Sequence, residues 1–307
     1  MILVTGASGS IGSRLSERLA ASGRPLRLAG RDPEKLRSRS PGVEAVELDV
    51  LRSETMPAAL EGVEAAYYLV HSMEPSAGGE FHERDAAGAR AFASAARKAG
   101  VGRVIYLGGL GDERDGLSEH LRSRQETGRI LAAGGPPLLE FRAAMVLAGD
   151  SASFRMLDDL VRRLPAMVVP RWVSTPSQPI AVDDVLAYLE EGLDLPLTEQ
   201  RTVVEVGGRD RVTYKEMIAI AAEREGRRRP PMVEVPLLSP RLSSYWCGLT
   251  TSVPAALARP LIEGLATPMV VTTDDAARLF PDVRPLGFRE ALDRATVEAR
   301  GSSGATT

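Results

Sequence analysis

The chain holds a single cysteine, Cys247, so no disulfide can form within it, and such economy fits a reducing compartment. Histidine is nearly as scarce. His71, His82 and His120 stand at no metal-ligand spacing from one another or from the cysteine, so no zinc motif exists. No apolar run approaches the roughly 18 residues that a membrane span requires. The first strand-like run begins at Met1, which leaves no room for a signal peptide. Charge of one sign is missing as well. The 38 basic and 41 acidic side chains leave a formal charge of -3, with no basic field to draw nucleic acid or an anionic membrane. The one short basic run, Arg227-Arg228-Arg229, reads as a solvated helix end ahead of Pro230. No G-x-S-x-G elbow marks a nucleophilic serine. These absences point to a soluble, cytoplasmic protein, a monomer or homodimer, whose partner is a small molecule.

What is present is a core-forming composition, 44% apolar over 307 residues, with a clear order along the chain. Strand-like runs at residues 1–5, 26–29, 45–48, 65–70, 104–107 and 138–145 alternate with helical stretches such as 10–22 and the alanine-rich 80–99. Strands and helices alternating at this spacing predict parallel β-α-β units and a doubly wound α/β sheet of the Rossmann type. After about Gly149 the pattern changes. Residues 151–164 read as a helix, 165–179 as an irregular, proline-punctuated stretch, 179–182 and 202–206 as further strands, and 183–193 as a helix. From Thr213 onward helices dominate, broken by prolines. The expected organisation is a dinucleotide-binding domain over residues 1–150, to which 177–208 returns. A smaller, mostly helical substrate lobe is expected from 151–176 and 209–300, and a disordered tail over 301–307.

Residues 3–15 read Leu-Val-Thr-Gly-Ala-Ser-Gly-Ser-Ile-Gly-Ser-Arg-Leu, with Gly6, Gly9 and Gly12 in a G-x-x-G-x-x-G spacing between a strand and a helix. One glycine permits turn angles that a Cβ would oppose, another lets the backbone approach a pyrophosphate, and the last lets the helix pack on the strand. The free amides and positive end of the helix then face phosphates, with Gly6, Ser8, Gly9, Ser10, Ile11 and Gly12 as the cradle. At the end of the second strand stands Ala29-Gly30-Arg31-Asp32. Arg31 offers a guanidinium fork suited to a 2′-phosphate, which favours NADP over NAD. Asp32 stands where an NAD ribose would be held, and equally where it would cap a helix starting near Pro33. Asp49-Val50 closes the third strand. There an aspartate can accept from an adenine amino group beside the next backbone N–H, or simply cap a turn.

These segments together resemble the extended and atypical short-chain dehydrogenase/reductase superfamily. The likeness rests on the glycine turn, Asp49-Val50, residues 65–70, the helix at 80–99 and Arg103-Val-Ile-Tyr-Leu-Gly-Gly109. Glu140-Phe-Arg-Ala-Ala-Met-Val146 and Pro179-Ile-Ala-Val-Asp-Asp-Val185 extend it, over roughly residues 1–288. Tyr67-Tyr-Leu-Val-His-Ser-Met73 and Ser118-Glu-His-Leu-Arg-Ser-Arg124 look like a bacterial NmrA-like, NAD(P)H-binding branch. The resemblance places Val70 and His71 where the chain passes over the cofactor, with loop capping the alternative for His71.

The departure from the family pattern matters as much. The superfamily uses a Tyr-x-x-x-Lys pair and a strand-end hydroxyl. Here the corresponding helix carries His120 and Arg124, four apart on one face, and the strand ends in Gly108-Gly109. His120 is then the candidate proton donor, or an exposed helical histidine. Arg124 is the candidate contact to the nicotinamide ribose. His82, beside Glu80, Glu83 and Arg84, reads as solvated. Trp172 and Trp246 fall in the second lobe, either lining a substrate pocket or filling a core. Two functions from different classes follow. One is an NADP(H)-dependent reductase passing hydride to a small or medium hydrophobic carbonyl or enone. The other is a non-catalytic NADP(H)-binding redox sensor or regulator.

Overall fold

A computed structural model describes residues 1–70, 81–112, 116–164, 166–235 and 265–304. Strands β1 (Ile2–Thr5), β2 (Leu26–Gly30), β3 (Glu44–Glu47), β4 (Ala65–Tyr68), β5 (Arg103–Gly109), β6 (Leu138–Ala143) and β7 (Arg201–Val206) form one sheet. All six pairings are parallel, in the order β7-β6-β5-β4-β1-β2-β3. The winding reverses between β1 and β4, and in such sheets a ligand crevice opens at the carboxyl ends of those two strands.

Successive residues on each strand face opposite sides, and both sides are apolar. Val4, Tyr67, Ile105 and Phe141 face α1 (Ser10–Ala21) and the helix Val182–Glu191. Leu3, Ala66, Tyr68 and Tyr106 face the other way, where Phe92 and the small Ala89, Ala93 and Ala96 of a long helix meet them. With α2 (Pro33–Arg39) and α3 (Met56–Leu60) before it, that helix is α4 (Phe81–Lys98), and it lies beside α5 (Glu119–Gly134). A separate core gathers Phe154, Leu157, Met217, Ile218, Phe288 and Leu292 from the helices Ala152–Arg163, Tyr214–Arg224 and Phe288–Gly304.

Several sequence expectations are corrected. The strand expected over 65–70 stops at Tyr68, because the Thr5 hydroxyl takes over the ladder. It donates to Tyr67 O (2.9 Å) and accepts from Leu69 N (3.2 Å). The run 138–145 breaks after Ala143, opposite the last residue of β5. Val146–Leu147 pairs instead with Ile180–Ala181. The stretch 165–179, expected to be irregular, contains Met167–Pro170, paired in parallel with Met232–Val235, and Pro176–Ser177, paired with Val212–Thr213. The prolines hid these strands, and a short parallel pair needs no turn signal between its members. Helix Phe288–Gly304 runs through 301–304, where a disordered tail was expected. His82 is not simply solvated: its Nε2 lies 2.6 Å from Glu126 Oε2 across the α4–α5 contact.

One polar network fastens the start of α1 to the rest of the chain. Ser10 Oγ donates to Asp150 Oδ1 (2.8 Å), and Arg14 Nη2 donates to the same oxygen (3.0 Å). Arg14 Nε also donates to Glu298 Oε1 (3.0 Å), whose other oxygen accepts from Gly149 N (2.7 Å). Partial burial works against the Asp150 charge, but hydrogen bonds from Arg14 and Ser10 outweigh it and hold the carboxyl below its usual pKa. A depressed folded-state pKa stabilises the protein above the unfolded value near 3.9, and that contribution disappears as pH falls through the folded one. Urea unfolding of Asp150→Asn at pH 7 is therefore expected to show a loss of about 0.5–1 kcal/mol, the discounted range for a half-exposed pair. The variant and wild type should converge as pH falls below about 4; a gap unchanged across that window overturns the account.

Candidate active site

The turn between β1 and α1 is built around three close approaches. Gly6 has φ +66°, and a Cβ there would stand 2.5 Å from Leu69 O and 3.2 Å from Val70 N at the end of β4. Gly9 N donates to Gly6 O (2.9 Å). A Cβ on Gly12 would stand 2.2 Å from that same carbonyl. Glycine is thus required at Gly6 by backbone angle and by space, and at Gly12 by space alone.

Gly9 is the N-cap of α1, with no side-chain cap and no acidic residue in the first turn. The amides of Ser10, Ile11 and Gly12 have no acceptor within the helix, so an anion at this point meets unpaired donors and the positive end of the dipole. Ser8 is exposed beside them, Ile11 is half-buried against the α1-side core, and Val70 borders Gly6. The Ser10 hydroxyl, by contrast, is turned to Asp150 and Arg14. Its share in an anion site falls to its backbone N–H.

Arg31 stands exposed just past β2. Asp32 resolves to the capping alternative, since its Oδ1 accepts from Lys35 N (3.0 Å) with Pro33 opening α2. Asp49 Oδ1 accepts from Leu51 N (3.0 Å), a turn-capping bond that leaves its second oxygen for other donors. Val50 packs its side chain over Gly88 of α4, where a Cβ would come within 2.7 Å. Arg39 was missed by sequence reading. It lies in the last turn of α2, its Nη1 is 3.5 Å from Ser8 O, and among the described residues no carboxylate pairs with it. Nothing in the sequence marks it out, because its approach to Ser8 depends on how α2 turns back onto the glycine turn.

On α5, Ser118 caps the helix by accepting from Leu121 N (3.3 Å), and His120 and Arg124 are both half-buried. Arg124 donates to Leu107 O and lies 5.0 Å over the Tyr106 ring, while Tyr106 Oη donates to Arg124 O (2.9 Å). Burial pushes the Tyr106 phenol up to about 12, so it keeps its proton at neutral pH. At the strand end, a Cβ on Gly109 would meet Leu121 Cδ2 at 2.7 Å. The space that a strand-end serine or threonine would need is occupied by Leu121.

Trp172 sits half-buried in the separate core, edge-on to Tyr214 (6.3 Å, 84°). This placement suits the core-filling alternative. Its indole N–H is buried without a hydrogen-bond partner. His71 and Trp246 lie outside the described residues. Among the described residues, no group of three or more His, Cys, Asp or Glu could hold a metal, and no helix is long and apolar enough to cross a membrane.

Comparison with known proteins fits this geometry. Residues 6–134 match a family described as NAD(P)H-binding. Over 126 residues the chain is 34% identical to the (4-alkanoyl-5-oxo-2,5-dihydrofuran-3-yl)methyl phosphate reductase of Streptomyces griseus subsp. griseus. That alignment spans 41% of this chain and 40% of the relative. Among solved structures, the NADP(H) complex of Citrobacter sp. triphenylmethane reductase aligns with a TM-score of 0.74 at 19% identity, over 96% of this chain and 99% of that one. The NADPH complex of the Escherichia coli NADPH-dependent quinone oxidoreductase gives the same TM-score and identity, over 95% of this chain and 99% of that one. A Thermotoga maritima UDP-glucose 4-epimerase aligns at 0.72 and 16% identity, over 98% of this chain and 99% of that one. The fold alone therefore does not select a chemistry. Residues 6–134 thus match an NAD(P)H-binding family, and the whole chain shares the fold of these reductases and epimerases.

Proposed function

We propose that the protein is an NADPH-dependent reductase of small or medium hydrophobic carbonyl or enone compounds. The observation that carries the cofactor half of this reading is the bare start of α1, with Arg31 and Arg39 on its open side. The amides of Ser10, Ile11 and Gly12 take the pyrophosphate, Arg31 and Arg39 hold the 2′-phosphate, and Asp49 with Val50 receives the adenine. Val70 lies beneath the nicotinamide end, and Arg124 reaches its ribose. The residues present suit this group, because amides and arginines offer donors to the phosphates and the Asp150 carboxylate near Ser10 is already held by Arg14.

When bound, the dinucleotide supplies a hydride. The chain must place an acceptor against it, exclude water and deliver a proton. Leu121 over Gly109 keeps any strand-end hydroxyl out of the site, so carbonyl polarisation falls to the α5 residues. His120 is the proton donor and Arg124 the fixed cation. An acceptor whose C=C is conjugated to a carbonyl needs less help from a strong acid at oxygen. The substrate named for the Streptomyces relative is of that kind. The same filled strand end favours a second reading, an NADP(H)-binding sensor without turnover.

Losing a charge-assisted bond to phosphate costs about 1.5–3 kcal/mol, or roughly ten- to a hundredfold in affinity. Arg31→Asp and Arg39→Ala are each expected to weaken NADPH binding by about that factor, leaving NADH binding unchanged, in fluorescence titrations. Equal effects on both dinucleotides would remove these arginines from the 2′-phosphate. Turnover is read from NADPH absorbance with quinones, enones and aldehydes as acceptors. His120→Ala should lower kcat by about a hundredfold, the lower range for loss of a general acid, with NADPH affinity intact. Tight NADPH binding with no oxidation by any acceptor class selects the sensor.

A further inference from the structure

Midway along β6, between Leu139 and Phe141, stands Glu140, whose side chain is 0% exposed. An unpaired carboxylate at such a site would be very costly. Here it is held from two directions. Arg142 Nε, two residues along the same strand face, donates to Oε1 (2.8 Å). Arg201, from neighbouring β7, donates to Oε2 through Nε (2.9 Å) and Nη2 (2.7 Å). Directly above the carboxylate lies Gly128 of α5, where a Cβ would stand 2.2 Å from Oε2 and 2.6 Å from Cδ.

Gly128 lies one turn after Arg124 and two turns after Leu121, on the same face of the helix. The other end of that stripe rests on Gly109 of β5, where a Cβ would meet Leu121 at 2.7 Å and Arg124 Cβ at 3.8 Å. The helix therefore touches the sheet through two glycines, one of its own and one of the strand. Its height is set by a carboxylate that two arginines hold still. Tyr106, the register partner of Glu140 on β5, adds a bond to the Arg124 carbonyl. Apolar side chains replacing Glu140, Arg142 and Arg201 together could fill this space at little cost in stability, as buried ion clusters often show on full replacement. What the charge adds is a fixed place.

We propose that Glu140, clamped by Arg142 and Arg201 beneath Gly128, is a positioning residue that sets the height of α5 and so places Arg124 at the nicotinamide end of the bound dinucleotide. The assignment rests on the proposed contact between Arg124 and the nicotinamide ribose. It acts on that end of the cofactor alone, since the glycine turn and α2 lie on the other side of the switch point.

The test compares NADPH with adenosine 2′,5′-bisphosphate, which keeps the adenine and the 2′-phosphate but lacks the nicotinamide ribose, by calorimetric titration. Gly128→Ala drives a methyl group into the carboxylate. Glu140→Gln keeps the bulk and one accepting oxygen, loosens the clamp, and serves if the first variant fails to fold. Each is expected to weaken NADPH about tenfold, the size of one lost hydrogen bond to a charged group, while the bisphosphate affinity stays within about twofold. Equal weakening of both ligands indicates general damage to the fold and overturns the assignment, as does no weakening of either. A wild type that binds the bisphosphate as tightly as NADPH sinks the Arg124 contact itself. A wild type that prefers NADPH, with variants that keep the preference, sinks the Glu140 assignment alone.

Discussion

Gly6 is pressed from two sides, by the carbonyl of Leu69 at the end of β4 and by the first turn of α1, whose Gly12 crowds the Gly6 carbonyl. This double contact is possible only because β1 and β4 are neighbours and because both contact points lack side chains. It brings the open start of α1 to the place where the sheet reverses its winding, and leaves its first amides facing the crevice. Val70 follows β4, the neighbour of β1, and Asp49 and Val50 follow β3, one strand beyond β2, so parallel register brings all three to the same end of the sheet. Without the contact, a tighter or looser turn would move the helix end and every neighbour measured from it.

A second pair of glycines accounts for the way the chain differs, at the far end of the proposed site, from the superfamily pattern it resembles. Gly109 has given up the hydroxyl expected there, and Leu121 has moved into the space. Gly128 lets the other end of the same helical stripe settle onto Glu140. A residue with a side chain at either position would raise α5 and draw Arg124 away from the Leu107 carbonyl and the Tyr106 ring. The lost strand-end hydroxyl and the arginine in place of lysine are thus linked features of one closer packing. They need not be read as separate decay of an older site.

Much of this was legible in the sequence because it depends on local rules. Three glycines at threefold spacing between an apolar strand and an amphipathic helix leave few alternatives for the turn, and alternating apolar runs give the parallel sheet. Asp32 could be read two ways, because capping and ribose binding call for the same side chain at the same spot; only the geometry of α2 separates them. Arg39 and Glu140 were not legible. Their importance comes from what lies opposite them in space, the Ser8 carbonyl in one case and a helical glycine with two arginines in the other. The short strands at Met167–Pro170 and Met232–Val235 escaped for a related reason. Their partners lie more than sixty residues apart in the chain, and prolines disguise the pattern.

The network at Ser10 bears on how the two halves of the chain work together. The Ser10 hydroxyl donates to Asp150 and accepts from Arg14, so in the proposed site the phosphates are left to backbone amides, which cannot rotate away. Arg14 and Gly149 in turn meet Glu298 on the helix that contributes Phe288, Ala291 and Leu292 to the separate core. A Cβ on Gly149 would stand 2.5 Å from Ala299 N, so this junction is as tightly made as the glycine turn itself. The helix end that receives the cofactor is therefore fixed to the core that carries Trp172 and Tyr214. Dinucleotide binding and the packing of that core share one set of contacts, and neither can shift far without straining the other.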